Sequence, residues 1–121
     1  MKLAVTATGP GLDADVDPRF GRCKYFIFVN PDTLEFKAVE NTPAGGGAGI
    51  AAGQLLASHG AQVLLTGDCG PNAYQVLSAA NIQVITGISG KVMDAINAYK
   101  AGQFKAISQP SVQPHHGLTT K

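Results

Sequence analysis

The side chains able to do chemistry in this chain gather in a few short stretches. Residues 13–24, DADVDPRFGRCK, set Asp13, Asp15 and Asp17 ahead of Arg19, Arg22 and Lys24, with a thiol at Cys23. Residues 42–53, TPAGGGAGIAAG, are glycine-rich, and residues 66–73, TGDCGPNA, carry Asp68 and the second thiol, Cys69. His59, His115 and His116 complete the set.

Each stretch can be tested against a known chemistry. Gly47-Ala48-Gly49-Ile50-Ala51-Ala52 fits the dinucleotide pattern G-x-G-x-x-G/A, and Asp68 follows at about the 20-residue interval of a ribose-binding acid. That fingerprint belongs directly after a buried parallel strand. Here a charged strand and the residues NTPA come first, which argues against it. No Gly-Lys-Ser/Thr follows the glycines, so a Walker A loop fails too. The aspartates of residues 13–17 start like a calcium loop. The required glycine would fall at Pro18 and the bidentate glutamate at Lys24, so they read as a solvated acidic turn. Cys23 and Cys69 could offer soft ligands to a metal or to the edge of a sulfide cluster. Cys69 also adjoins a helix start, which lowers a thiol pKa. Two thiols do not close a zinc site; His115 and His116 could complete one if the tail folds back. The plainer alternative is a pair of partly buried, unpaired thiols. His59, in a last helical turn before Gly60, meets the helix dipole. No nucleophile–base pair or acid–base carboxylate pair stands out, so the chain is read as a binding protein rather than an enzyme.

The elements that position these residues follow from hydrophobic periodicity. Residues 3–8 and 25–29 (YFIFV) read as buried strands, and residues 34–41 as a strand alternating Leu34, Phe36 and Ala38 against Glu35 and Lys37. Helical spacing then appears over residues 50–59, 72–80 and 89–100, separated by the strands AQVLLTG and IQVITG. The order β-β-β-α-β-α-β-α predicts an antiparallel meander continued by parallel crossovers. The third strand carries the charges of a free edge, while the first carries none and needs neighbours on both sides. The fourth strand is therefore placed beside the first. The expected fold is α/β, a five-stranded mixed sheet in the order 3-2-1-4-5 with strand 2 antiparallel, in one domain over residues 1–104. Residues 105–121 read as an extended or mobile tail.

This topology sends every long or glycine-rich loop to one end of the sheet, where open α/β sheets bind ligands. Three helix N-termini point there, and their N–H groups favour an anion. The expected cradle takes side chains from Arg19, Phe20 and Arg22 with Gly21 between them. Its backbone amides come from Gly45, Gly46, Gly47 and Gly49, from Gly67, Gly70 and Asn72, and from Gly87, Ser89 and Gly90. Cys69 and Cys23 are its candidate metal ligands.

Composition narrows the partners. A net charge of +1 with 14% charged residues gives no basic field for nucleic acid. No apolar run approaches a membrane span. Two cysteines and no leader-like N-terminus suggest a reduced, cytoplasmic protein.

The segments DPRFGRCKYFIFV, residues 40–84 from ENTPAGGG to NIQV, and AINAYKAGQF together resemble the dinitrogenase iron–molybdenum cofactor biosynthesis family, over about residues 1–104. That family includes nitrogenase cofactor carriers and a small orange protein of sulfate reducers. The resemblance implies a ribonuclease H-like three-layer α/β/α fold without nuclease activity. It also implies non-covalent or weakly ligated binding of an anionic metal–sulfur cluster, containing molybdenum with iron or copper, and no nucleotide. Cluster donor and acceptor proteins are the implied partners, for a monomer or weak homodimer. Nitrogenase-side members often carry a ligating histidine before the Phe-Gly pair. Here Arg19 precedes Phe20-Gly21, which favours electrostatic holding of a smaller cluster. The alternative is a regulatory module holding a nucleotide or phosphometabolite in the same loops.

Overall fold

The computed structural model describes residues 1–42 and 48–103. Its strands are β1 (Leu3–Ala7), β2 (Tyr25–Val29), β3 (Phe36–Glu40), β4 (Val63–Leu65) and β5 (Gln83–Ile85). Its helices are α1 (Ala48–Ser58), α2 (Pro71–Ala79) and α3 (Val92–Lys100). The sheet order is β3-β2-β1-β4-β5, as the charge pattern predicts. β1 pairs antiparallel with β2, Leu3 opposite Val29, and parallel with β4, Leu3 opposite Val63. β5 continues the parallel side, and β3 closes the antiparallel side as an edge.

Alternation of side chains along the strands feeds two cores. On one face, Ala4, Phe26, Phe28, Leu64 and Val84 meet Leu56 of α1 and Leu77 of α2. Each of these two buried leucines contributes roughly 2 kcal/mol by leaving water. On the other face, Leu3, Val5, Ile27, Val63 and Leu65 meet Val92, Ala95 and Ile96 of α3, with Val16 from the long β1–β2 loop. The result is a three-layer α/β/α stack. β3 is less covered than its alternation suggests: Phe36, on the α3 side of the edge strand, remains 46% exposed.

The N-termini of the helices and the carboxyl ends of β1, β4 and β5 lie at one end of the sheet. Helical spacing predicts that α3 opens at Ser89, yet it opens at Val92. Gly90 takes a φ of +88°, a left-handed value that suits glycine, and its carbonyl accepts from the Val16 N–H at 2.8 Å. The Val92 N–H donates to the Ala14 carbonyl and the Met93 N–H to the Leu12 carbonyl. The β1–β2 loop thus satisfies donors that a helix start leaves open.

Candidate functional site

A cavity of about 430 Å³ opens at this end of the molecule, within the size range of small-ligand sites, roughly 300–1,000 Å³. Three segments wall it. The β1–β2 loop supplies Arg19, Phe20 and Gly21; the start of α1 supplies Gly49 and Ile50; the β4–α2 turn supplies Asp68, Gly70, Pro71, Asn72 and Ala73.

The loop reaches this place through close backbone contact. The Asp68 N–H donates to the Pro18 carbonyl at 2.8 Å, and residues 19 and 68 form an isolated parallel bridge. Gly67 permits the approach: a Cβ there would lie 2.5 Å from Pro18 Cα and 2.8 Å from its carbonyl oxygen. Deeper down, the buried Thr6 hydroxyl donates to the Asp17 carbonyl at 2.7 Å and is hydrogen-bonded to the buried Thr66 hydroxyl at 3.0 Å. Asn41 holds the far side of the loop, its Nδ2 donating to the carbonyls of Gly21 at 3.2 Å and Cys23 at 2.9 Å.

The α2 N-terminus faces the cavity with Gly70 as its cap and Pro71 in its first turn, and no side chain caps it. Its first amides and positive dipole end therefore meet the cavity through Asn72 and Ala73. Arg19 adds a guanidinium with 65% of its side chain exposed. Phe20 is nearly buried, stacks obliquely on Phe26 at 5.6 Å and gives the floor an apolar surface. Ile50 is 41% exposed on the cavity wall, not in the core as its helical spacing suggests. A cationic, N–H-rich wall over an apolar floor suits a polarisable anion, while Asp68 opposes one at the rim.

The structure sorts the sequence-derived candidates. Arg19, Phe20, Gly21, Gly49, Gly70 and Asn72 come together around the cavity. Arg22 is exposed but off its wall. Gly67 and Gly87 serve the backbone, the Gly87 N–H donating to the Gly67 carbonyl at 2.8 Å, and Gly90 anchors the β1–β2 loop. Ser89 also stands outside the cavity lining. The expectation of three free helix starts is corrected, since loop carbonyls occupy the first amides of α3. Gly45, Gly46, Gly47, His115 and His116 lie outside the described residues.

Neither thiol lies on the cavity wall. Cys23 is buried, and its pKa is pushed up to about 12, first by burial and then by the Asp17 carboxylate. Cys69 is fully buried, and burial pushes its pKa up to about 11. The lowering expected from the α2 N-terminus is overridden by desolvation, which disfavours a thiolate. Among the described residues, no cluster of three or more His, Cys, Asp or Glu is placed to hold a metal ion.

Sequence reasoning also missed Asp17, read as part of a solvated turn although it is 2% exposed. Asp15 does fit that reading, pairing at 3.3 Å with Lys91 on the surface. Asn41 was missed as well. His59 stacks on Phe28, ring centroids 4.5 Å apart, and its Nδ1 lies 3.1 Å from the Leu55 carbonyl, at the opposite end of the sheet.

The sequence profile described as "Dinitrogenase iron-molybdenum cofactor" matches residues 1–102. The chain belongs to the dinitrogenase iron–molybdenum cofactor family. The apo form of the orange protein from Desulfovibrio gigas is 44% identical, covers 92% of this chain and 96% of its own, and superimposes with a TM-score of 0.88. A Thermotoga protein described as a candidate NifB protein is 31% identical over 92% of this chain and 97% of its own, with a TM-score of 0.80. An uncharacterized protein of Methanocaldococcus jannaschii is 28% identical over 110 residues, 87% of this chain and 90% of its own. The shared fold extends across the sheet and helices that form the cavity in this family member.

Proposed function

We propose that this protein binds and carries an anionic metal–sulfur cluster, held without covalent attachment in the cavity between the β1–β2 loop and the N-termini of α1 and α2. The observation that carries this role is the convergence of Arg19 and the uncapped start of α2 on one cavity with an apolar floor. Helix amides and a guanidinium stabilise negative charge, and the exposed Ile50 and underlying Phe20 suit soft sulfide surfaces. Family membership supports the cluster class: a molybdenum sulfide containing copper or iron is the expected cargo, passed between donor and acceptor proteins. Charge and backbone amides would hold the cargo while Cys23 and Cys69 stay protonated behind the wall. Ligation through Cys69 would require loss of that proton and movement of the thiol toward the cavity. Binding and release involve no bond-making by the protein, so no catalytic role is assigned. Among the described residues no helix is long and apolar enough to cross a membrane.

Mixing the purified protein anaerobically with tetrathiomolybdate and copper(I) is expected to give a stable coloured complex in gel filtration. Arg19→Ala should weaken it by about tenfold, the worth of one charge-assisted contact. Affinity that is unchanged in Arg19→Ala would remove the electrostatic role of this cavity. Thermal stabilisation by nucleotides in place of thiomolybdate would redirect the cavity to another anion.

A further inference from the structure

An exposed guanidinium ordinarily loses conformational freedom when it binds, so its contact with an anion is weakened by the ordering required. Arg19 is already partly ordered. Two residues before it stands Asp17, the charged side chain of the core among the described residues, with only 3% of its side chain exposed. Its Oδ1 accepts the Arg19 backbone N–H at 3.0 Å and lies 3.5 Å from Arg19 Nε. Asp17 is itself rooted in the sheet. Its N–H donates to the Thr6 carbonyl at 2.9 Å, its carbonyl accepts the Thr6 hydroxyl, and that hydroxyl meets the Thr66 hydroxyl of the residue following β4.

Burying a carboxylate is costly, and one exposed partner repays little of that cost as stability. The geometry points to a different use: Asp17 is a positioning residue that fixes the backbone and Nε of Arg19, leaving the terminal guanidinium nitrogens to meet an anion in the cavity. This rests on the anion-binding role proposed above, and it adds the residue that prepares the site. It also makes a prediction opposite in sign to simple charge. Removing a carboxylate beside an anion site should tighten binding through electrostatics alone. Removing a positioning carboxylate should weaken it.

The test has one arm that needs no ligand and one that does. In 15N NMR spectra of the free protein, the Arg19 Nε–H resonance should be dispersed and slow to exchange, and should move to the averaged position of flexible arginines in Asp17→Ala. With tetrathiomolybdate as the probe, Asp17→Ala should lose about five- to tenfold in affinity. Asp17→Asn keeps an acceptor for the Arg19 N–H and should fall in between, about threefold. In an Arg19→Ala background the loss should vanish: neither change should weaken binding, and Asp17→Ala should tighten it slightly, because only the carboxylate's repulsion of the anion remains. If Asp17→Ala fails to fold by circular dichroism, Asp17→Asn carries the comparison. Tighter binding by Asp17→Asn overturns the positioning role. So does an equal loss in the Arg19→Ala background, or an Arg19 Nε–H that is already averaged in the wild type. If the wild type binds tetrathiomolybdate neither alone nor with copper(I), the cluster-binding role falls, and the Nε–H resonance alone decides the role of Asp17.

Discussion

Arg19 and Asp68 place opposite charges on the wall of one cavity, and this pairing sets how tightly an anion can be held. At a separation of about 6 Å in a near-aqueous dielectric, a dianion and a carboxylate repel by about 1 kcal/mol. Asp68→Asn should therefore tighten thiomolybdate binding by roughly fivefold, measured by titration at low salt, with the gain shrinking as salt is added. An Asp68→Asn protein that binds more weakly would instead give Asp68 a direct contact with the ligand. The thiols make a separate prediction. An ordinary thiol ionises near 9.0, whereas burial holds Cys23 to about 12 and Cys69 to about 11. Below pH 9 both the folded and the unfolded chain keep these protons, and the thiols contribute their full stability. Above pH 9 the unfolded chain releases protons that the native chain retains. Stability should then fall, by on the order of 1 kcal/mol per pH unit for each thiol, until the native thiols ionise as well. Urea unfolding at pH 8 and pH 10 should show this slope in the wild type and a flatter one in the Cys23→Ala/Cys69→Ala double variant. Native protein should also react slowly with iodoacetamide at pH 8, and rapid labelling of Cys69 would contradict its burial.

At the scale of elements, the β1–β2 loop ties the cavity end of the molecule together. It lies against the β4–α2 turn through Pro18 and Asp68, and its carbonyls cover the start of α3. Gly67→Ala would drive a methyl group into Pro18 backbone, which cannot yield as a flexible side chain does. A loss of about 2 kcal/mol is expected in chemical unfolding, typical of overpacking, together with weaker cluster binding as Arg19 is displaced. Unchanged stability would mean that the loop is not docked as described. These elements also divide what sequence can reveal from what it cannot. The sheet order was legible because charge on β3 and its absence from β1 are local properties that mark edge and centre. That Arg19, Phe20, Gly21 and the start of α2 are neighbours around one cavity was legible because topology alone brings loop ends together. The late start of α3 was not legible: its amides are satisfied by Leu12 and Ala14, remote in sequence, and only tertiary contact reveals them. Asp17 was hidden for the same reason. The repeat DADVD reads as a solvated turn, while burial of its last aspartate depends on a hydroxyl pair whose members, Thr6 and Thr66, stand 60 residues apart. The thiol of Cys69 was misjudged because adjacency to a helix start can be read from sequence but desolvation cannot.

At the scale of the whole molecule, the described residues form two cores that share one sheet, and α3 closes the second. α3 ends with internal satisfaction of its last carbonyls: the Ala101, Gly102 and Gln103 N–H groups donate to Asn97, Tyr99 and Ala98. Its Tyr99 hydroxyl donates to Met1 Sδ at 3.5 Å, so α3 is tied back to Met1. Among the described residues, both hydrophobic clusters are assembled from side chains between Leu3 and Tyr99. With the family profile matching residues 1–102, we propose that the folding unit is complete by the end of α3 and that the loops around the cavity depend on nothing beyond it. A chain ended after Gln103 should unfold in a single cooperative transition, with a Tm within a few degrees of the full chain. Its affinity for tetrathiomolybdate should match the full chain within about twofold, because Arg19, Asp17 and α2 all lie within the retained residues. Thermal melts and parallel titrations of the two chains decide the matter. A large drop in Tm would make the C-terminal residues part of the core, and loss of binding with Tm preserved would make them part of the site.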